Sequence, residues 1–398
     1  MQNVNSKLKI IVLGTRGFPN VQGGIEKHCE QLYPIIAGKG HDVTVITRRS
    51  YVDPLLKEYK GVKLYPITNL TKKSLEAIVH TFKGVFTARR LGCDVLHVHA
   101  IGPSLVVPLA RILGLNVVVT NHGPDYNRQK WGGFAKFMLK LGESWGSRFA
   151  NKVISISKPI ADNIKNQYKK EAVIIPNGVV MPEIMETEGA LKKYGLEKGK
   201  YVLTVGRYVP EKGFHDLMQA FNYARINTNE KTRIDTNGKP RISTNDRLID
   251  AKDWKLVIVG DADHEDDYSR GLKQNAQENE NIVLTGFLTG QPLQELYSHA
   301  GLFVLPSYHE GLPIVLLEAM SYGLSCIVSD IPANREVDLS KDRYFKPGDI
   351  ETMADKISEY MKRPLDDNQR KKQIDYIRGN FDWQKIANKT IAVYESLK

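Results

Sequence analysis

Glu310 and Glu318 bracket an apolar run in HEGLPIVLLEAMSYG, residues 309–323. A helix predicted from Pro313 to Gly323 leaves Glu310 in the loop ahead of it and Glu318 inside it, positions that suit a ligand better than a core. The stretch Gly311-Leu312-Pro313-Ile314 leads into that helix, so its N–H groups and the positive end of the helix dipole face an anion. A carboxylate beside an anion repels it unless it binds hydroxyls instead. Carboxylates accept well from vicinal diols, so the pattern fits phosphate at the helix start, a sugar's hydroxyls on Glu310 and a ribose on Glu318.

Two further segments carry the same chemistry. GRYVPEKG, residues 206–213, places Gly206, Arg207 and Lys212 on one loop after a strand. Arg grips a diphosphate through a forked pair of hydrogen bonds and Lys acts as a point charge; the alternative is a pair of surface cations. GTRGFPNVQGGIEKH, residues 14–28, puts Gly23 and Gly24 just ahead of a helix expected from about Ile25, where backbone N–H groups face an anion or simply close a βα loop. Its glycines miss the G-x-G-x-x-G spacing, which argues against a dinucleotide enzyme.

These loops need a scaffold that ends strands beside one another. Apolar runs KIIVLG (9–14), DVTVIT (42–47), VKLYP (62–66), DVLHVH (94–99), NVVVTN (116–121) and KVISIS (152–157) alternate with amphipathic stretches. That rhythm predicts a parallel sheet covered on both faces. After VIIPNGV (173–179) it restarts with YVLTVG (201–206), KLVIVG (255–260), NIVLTG (281–286), LFVLP (302–306) and CIVS (326–329). The expected fold is α/β, with two Rossmann-like, doubly wound domains facing a central cleft. The boundaries read as 1–178 and 179–380, with a linker near Pro176 to Pro182. An eight-residue polar repeat beginning at Arg225, Arg233 and Arg241 reads as an insertion over about 225–250, far shorter in unit than a solenoid repeat.

At 398 residues and 41% hydrophobic content the chain is too long for one ordinary core. No run reaches the roughly 18 apolar residues of a membrane helix, and the opening residues read as a strand rather than an export signal, which predicts a cytoplasmic protein. Cys29, Cys93 and Cys326 match no metal spacing and read as reduced, buried and structural. The formal charge of +11 calls for an anionic partner, but its basic residues are scattered and lack aromatic interleaving, so no nucleic-acid partner is expected.

Glu310-x7-Glu318, together with GRYVPEKG, ISKPIADNI (156–164) and IPNGV (175–179), resembles the family 4 retaining glycosyltransferases of GT-B architecture. The resemblance covers nearly the whole chain. The segment 14–34 is also similar to a bacterial polysaccharide subgroup often labelled rhamnosyltransferase. The resemblance implies a nucleotide-diphosphate sugar as donor substrate, held mainly by the second domain, no further cofactor, and a saccharide acceptor held mainly by the first. It implies Arg207 and Lys212 on the diphosphate, Glu310 on the donor sugar and Glu318 on the ribose. His122, in VVVTNHG, matches the family's active-site histidine; a structural loop histidine is the alternative. A nucleotide-sugar epimerase of the same fold is the competing activity.

No Asp-x-Asp or histidine cluster of convincing ligand spacing stands out; GDADHEDD (260–267) is the nearest metal candidate and reads as an acidic turn, with a held cation as the alternative, so a metal-free site is expected. In 130–152, Trp131, Phe134, Met138, Leu141 and Trp145 recur at helical spacing near Lys130, Lys136 and Lys140. That stripe is either packed on the sheet or laid on an anionic membrane, at whose inner face a lipid-linked acceptor would be presented. Residues 381–398 resemble the family's terminal helix, which crosses back to the first domain.

Overall fold

A computed structural model describes residues 7–67, 73–124, 126, 132–227 and 253–398. The polar repeat falls almost wholly outside these residues, as do Lys130 and Trp131. The first elements in chain order are β1 (Lys9–Leu13), α1 (Gly24–Gly38), β2 (Asp42–Arg48), β3 (Glu58–Tyr59), β4 (Val62–Ile67), α2 (Lys73–Leu91) and β5 (Val95–His99). Then come α3 (Val107–Ile112), β6 (Val117–Asn121), α4 (Gly133–Phe149), β7 (Lys152–Ser155), α5 (Lys158–Tyr168) and β8 (Val173–Ile174). The second run is α6 (Gly189–Tyr194), β9 (Tyr201–Val205), α7 (Phe214–Asn227), β10 (Lys255–Val259), α8 (Asp267–Gln277), β11 (Ile282–Gly286) and α9 (Gln291–His299). It continues with β12 (Leu302–Leu305), α10 (Ile314–Ser321), β13 (Cys326–Ser329), β14 (Tyr344–Phe345), α11 (Ile350–Lys362), α12 (Asp367–Asn380) and α13 (Trp383–Glu395).

The chain divides into two compact units, Met1–Val180 with Glu310–Ile314 and Phe381–Lys398, and Met181–His309 with Val315–Asn380. The first carries an eight-stranded sheet in the order β3-β4-β2-β1-β5-β6-β7-β8, parallel except for the β3–β4 pair. The second carries a six-stranded parallel sheet, β11-β10-β9-β12-β13-β14. In each, the strand order reverses direction beside the unit's first strand, between β1 and β5 and between β9 and β12. Loops leaving strands at such a switch point diverge and leave a crevice for a ligand. The sequence places its candidate loops there: 14–23 after β1, 206–213 after β9 and 306–313 after β12.

Continuous Val and Ile runs bury both faces of the central strands, as a parallel sheet requires. The terminal helix belongs to the first unit because its apolar side has a home there. Trp383, Ile386, Ile391 and Tyr394 pack into one cluster with Cys29, Leu32, Tyr33 and Ile36 of α1. Burying a side chain of this size contributes about 1.5–3 kcal/mol. Asp382 caps α13 by accepting from the Lys385 N–H at 2.9 Å.

Several expectations need correcting. Residues 310–314, expected in the second domain, group with the first unit, because Gly311 packs on the His122 carbonyl and Asn177 donates to the Leu312 carbonyl at 2.8 Å. Helix α10 starts at Ile314, one residue after the proline. The short edge strands β3 and β14 carry too few residues for periodicity to reveal. Cys29 and Cys326 are buried but Cys93 is only half-buried. Helix α4 buries the predicted stripe only in part: Met138, Leu141 and Trp145 are half-buried and Phe134 is 78% exposed, while its fully buried residues are Gly142, Glu143, Gly146 and Ser147 and the neighbouring Phe137 is 60% exposed.

Candidate functional site

In the second unit, β9 delivers Gly206 and Arg207 at its carboxyl end, and a 3-10 turn over Pro210–Lys212 brings the lysine back beside them. A Cβ built on Gly206 would lie 3.4 Å from Lys212 Cε, so the lysine stem runs against that glycine. The loop is anchored from neighbouring strand ends: Gly206 N–H donates to Val259 O at 2.9 Å and Tyr308 N–H to Glu211 O at 2.9 Å. Arg207 is 19% exposed and its Nη1 donates to Asp263 Oδ2 at 2.8 Å. The acidic turn after β10 therefore contains a partner of the predicted cation. A fixed carboxylate on one edge of a guanidinium holds its plane and leaves other N–H groups for an anion.

Glu318 sits in α10 and accepts from Tyr297 Oη at 3.2 Å, while Tyr297 stacks on Tyr322 with centroids 5.1 Å apart. Burial, reinforced by the neighbouring Glu318, pushes the Tyr297 hydroxyl well above its ordinary pKa and keeps it a donor. The aromatic pair thus orients one carboxylate oxygen.

In the first unit, Gly23 is the N-cap of α1 with φ 152°, a backbone region that favours glycine. A Cβ there would lie 2.1 Å from Glu26 Oε2. Glu26 Oε1 accepts from both the backbone N and Nε of Arg16 at 3.1 Å. The helix start thus already has the carboxylate of its own first turn beside it, held by Arg16. Around Gly24 a Cβ would meet nothing within 4 Å.

His122 follows β6. Asn121 holds its loop, taking the Gly123 N–H on Oδ1 at 2.8 Å and donating Nδ2 to the buried Glu143 at 3.0 Å. Tyr126 and Tyr168 donate to the other Glu143 oxygen at 3.1 and 2.9 Å. A Cβ on Gly311 would lie 2.2 Å from the His122 carbonyl oxygen, so only glycine permits this approach. Two predicted site residues, His122 and Gly311, are thereby in backbone contact. Leu312 is held through its carbonyl, and Glu310, Pro313 and Ile314 belong to the same short segment.

Sequence spacing concealed the surroundings of His122. His97 and His99 project from one face of β5 and stack with centroids 4.2 Å apart. His99 Nδ1 and His122 Nε2 are 2.9 Å apart, and His28 of α1 packs edge-on to His122 at 5.0 Å. Tyr33, Tyr394, Thr120 and Asn177 complete the cluster. Burial lowers all four imidazole pKa values, His28 to about 4 and His97 to about 3, with His99 and His122 well below the usual range. All four rings are therefore neutral at physiological pH. The alternation HVH in a strand, residues 97–99, was the one signal available beforehand.

One ring nitrogen from each of His28, His99 and His122 lies within 4.8 Å of the other two, a grouping that folding assembles and linear spacing did not reveal. His99 and His122 are already hydrogen bonded to each other, so one of those nitrogens carries a proton that a metal would have to displace. The arrangement as it stands is a hydrogen-bonded chain.

Comparison with known proteins agrees with this architecture. Residues 22–181 match Glycosyltransferase Family 4 and residues 187–379 match Glycosyl transferases group 1. These matches make the chain a family 4 glycosyltransferase of GT-B fold. It is 25% identical to the UDP-Gal:alpha-D-GlcNAc-diphosphoundecaprenol alpha-1,3-galactosyltransferase of Escherichia coli, over 84% of this chain and 82% of that one. Sucrose-phosphate synthase from Thermosynechococcus elongatus superposes with a TM-score of 0.78 at 19% identity, covering 98% and 99% of the two chains. HepE of Anabaena in complex with UDP-glucose gives 0.73 at 18% identity, covering 98% and 100%. Among the described residues no helix is long and apolar enough to cross a membrane.

Proposed function

We propose that the protein is a retaining transferase that moves a hexose from a uridine-diphosphate sugar to a lipid-linked saccharide during bacterial surface polysaccharide synthesis. The observation that carries this reading is the grouping of Gly206, Arg207 and Lys212 at the switch point of the second sheet. In this reading Arg207, braced by Asp263, and Lys212 hold the diphosphate, and the start of α10 adds backbone N–H groups. Glu318, oriented by Tyr297, takes the ribose diol, and Glu310 takes hydroxyls of the donor sugar.

Breaking the sugar–phosphate bond separates an oxocarbenium-like carbon from an anionic diphosphate. Fixed cations stabilise the departing charge at little reorganisation cost, and the loop over 310–314 positions the sugar. Two cations and a helix start supply the charge for which other transferases use a divalent ion, which favours a metal-free reaction. His122 hydrogen bonds the transferred sugar, while Gly23 and Gly24 border the donor. The activity of the galactosyltransferase relative, which its name gives as transfer from UDP-Gal to a sugar-diphosphoundecaprenol, supports uridine as the base and a diphosphate-lipid acceptor. Uridine also supplies the ribose diol that Glu318 suits, which a deoxyribonucleotide-linked rhamnose would not.

The exposed faces support a peripheral membrane position. Phe134 and Phe137 on α4, with Lys136 and Lys140, stand out from a helix that packs against the 3-10 turn Pro103–Val106. Helix α2 packs on the same turn and exposes Phe82 and Phe86. Aromatic rings flanked by lysines suit an anionic lipid surface.

Thermal-shift titration with UDP, GDP, dTDP and their sugars, with and without EDTA, tests the donor assignment. Stabilisation by UDP alone, indifferent to EDTA and lost in Arg207→Ala, is expected. Product analysis by NMR with a lipid-diphosphate sugar acceptor then reads the anomeric outcome. Stabilisation by another base, or an inverted product, would overturn the corresponding part.

A further inference from the structure

We propose that Glu143 of α4 is a positioning residue that sets the loop 121–123, and with it His122, by acting through Asn121. Its meaning for turnover rests on the function proposed above, whereas the placement of the loop does not.

Glu143 and Asn121 are each 2% exposed. Three neutral donors converge on the carboxylate: Asn121 Nδ2 gives to Oε1 at 3.0 Å, and the Tyr126 and Tyr168 hydroxyls give to Oε2 at 3.1 and 2.9 Å. Burial, with Glu143 beside them, pushes both tyrosine pKa values up, so both hydroxyls keep the protons they donate. Asn163, whose oxygen takes the Gln167 amide at 2.6 Å, also bonds the Tyr126 hydroxyl.

These bonds have a direction. A carboxylate only accepts, so Asn121 turns its NH2 group to Glu143 and its oxygen the other way, where it takes the Gly123 N–H at 2.8 Å. That second bond closes the turn that carries His122. Gly123 lies against the 310–314 segment, since a Cβ built on it would be 3.4 Å from Gly311 Cα. Placement thus passes from Glu143 to Asn121, to the backbone of 122–123 and on to the segment that carries Glu310. The carboxylate itself has a fixed base. Gly142 and Gly146 press α4 onto the turn after β5, where a Cβ would lie 2.1 Å from Ile101 O and 2.7 Å from Ser104 Cβ. An apolar side chain could fill the same space, but it would leave the Asn121 amide without the partner that holds its plane.

The experiment is a double-mutant cycle on the full chain, read by steady-state kinetics and by hydrogen exchange of the Gly123 amide in 15N-glycine-labelled protein. Asn121→Asp sets two carboxylates against each other. Adding Glu143→Gln restores every bond with the donor reversed: the new amide donates to the new carboxylate, which still takes the Gly123 N–H, and its oxygen still accepts from both tyrosines. Asn121→Asp alone is expected to turn over about 100-fold more slowly at an unchanged donor KM, as for positioning groups displaced by about 1 Å, and to lose protection at Gly123. The double variant is expected to recover protection and to turn over at least about tenfold faster than Asn121→Asp. Should Asn121→Asp fold poorly, Asn121→Ala carries the test, because adding Glu143→Gln to it is expected to slow turnover no further. A double variant as slow as Asn121→Asp, full turnover in Asn121→Asp, or additive slowing with Asn121→Ala overturns the proposal. If the wild type transfers no sugar, the functional reading fails, and recovery of Gly123 protection alone decides the placement.

Discussion

Gly311→Ala tests the contact on which the candidate site turns. The added methyl would lie 2.2 Å from the His122 carbonyl oxygen and 3.0 Å from Ile156 Cδ1. Comfortable separation is roughly 3.5 Å, so the two backbones must part by about 1 Å. Ile156 can adjust its side chain, but a backbone carbonyl cannot rotate away alone. The displacement moves Glu310 away from His122 and strains the 2.8 Å bond from Asn177 to Leu312 O. A shift of about 1 Å in positioning groups costs on the order of 100-fold in rate, and overpacking costs about 1–3 kcal/mol of stability. Steady-state kinetics beside a melting curve would show kcat falling about 100-fold in a protein that still unfolds cooperatively. Gly271→Ala is the control, because a Cβ there meets nothing within 4 Å and α8 tolerates alanine. If Gly311→Ala kept more than a third of wild-type turnover, the contact would not be setting the geometry of the site.

Two further outcomes follow from charge. The four clustered histidines have depressed pKa values when folded and ordinary ones, near 6.5, when unfolded. Above pH 6.5 neither state is protonated; below it only the unfolded chain takes up protons, so stability is lost as pH falls from about 6.5 toward 4, by up to ~1.4 kcal/mol per pH unit for each ring. Urea midpoints measured from pH 7.5 to 4.5 should fall across that window and fall less in His28→Asn; a flat profile would contradict the neutral cluster. Asp263→Ala should release Arg207 from its 2.8 Å partner and raise the donor KM on the order of tenfold, the worth of one charge-assisted hydrogen bond. An unchanged KM would mean that Asp263 does not brace Arg207 for the donor.

Local pattern carried much of this protein. The unbroken apolar strands already required two parallel sheets, because only a strand buried on both faces can be Val and Ile throughout. The glycines, cations and acids at 206–213 and 309–318 were legible because βα loops are short and chemistry concentrates in them. Even the terminal helix could be expected to return to the first domain, from its likeness to the family.

Folding decided what spacing could not. His28, His97, His99 and His122 lie on three different elements, and Tyr394 reaches them from the far end of the chain. No linear spacing encodes that meeting, because strand order and helix docking create it. The partnership of Arg207 with Asp263 arises likewise, since adjacency of β9 and β10 brings two distant loops together. The stripe of α4 was legible only in part, with Met138, Leu141 and Trp145 half-buried and Phe134 exposed. Periodicity shows that a helix has an apolar face but not which face its neighbours accept, and here Gly142 and Gly146 allow the close approach while Phe134 and Phe137 remain outside. Sequence named the groups that could touch a phosphate or a diol, and tertiary structure alone determined which side chains hold them in place.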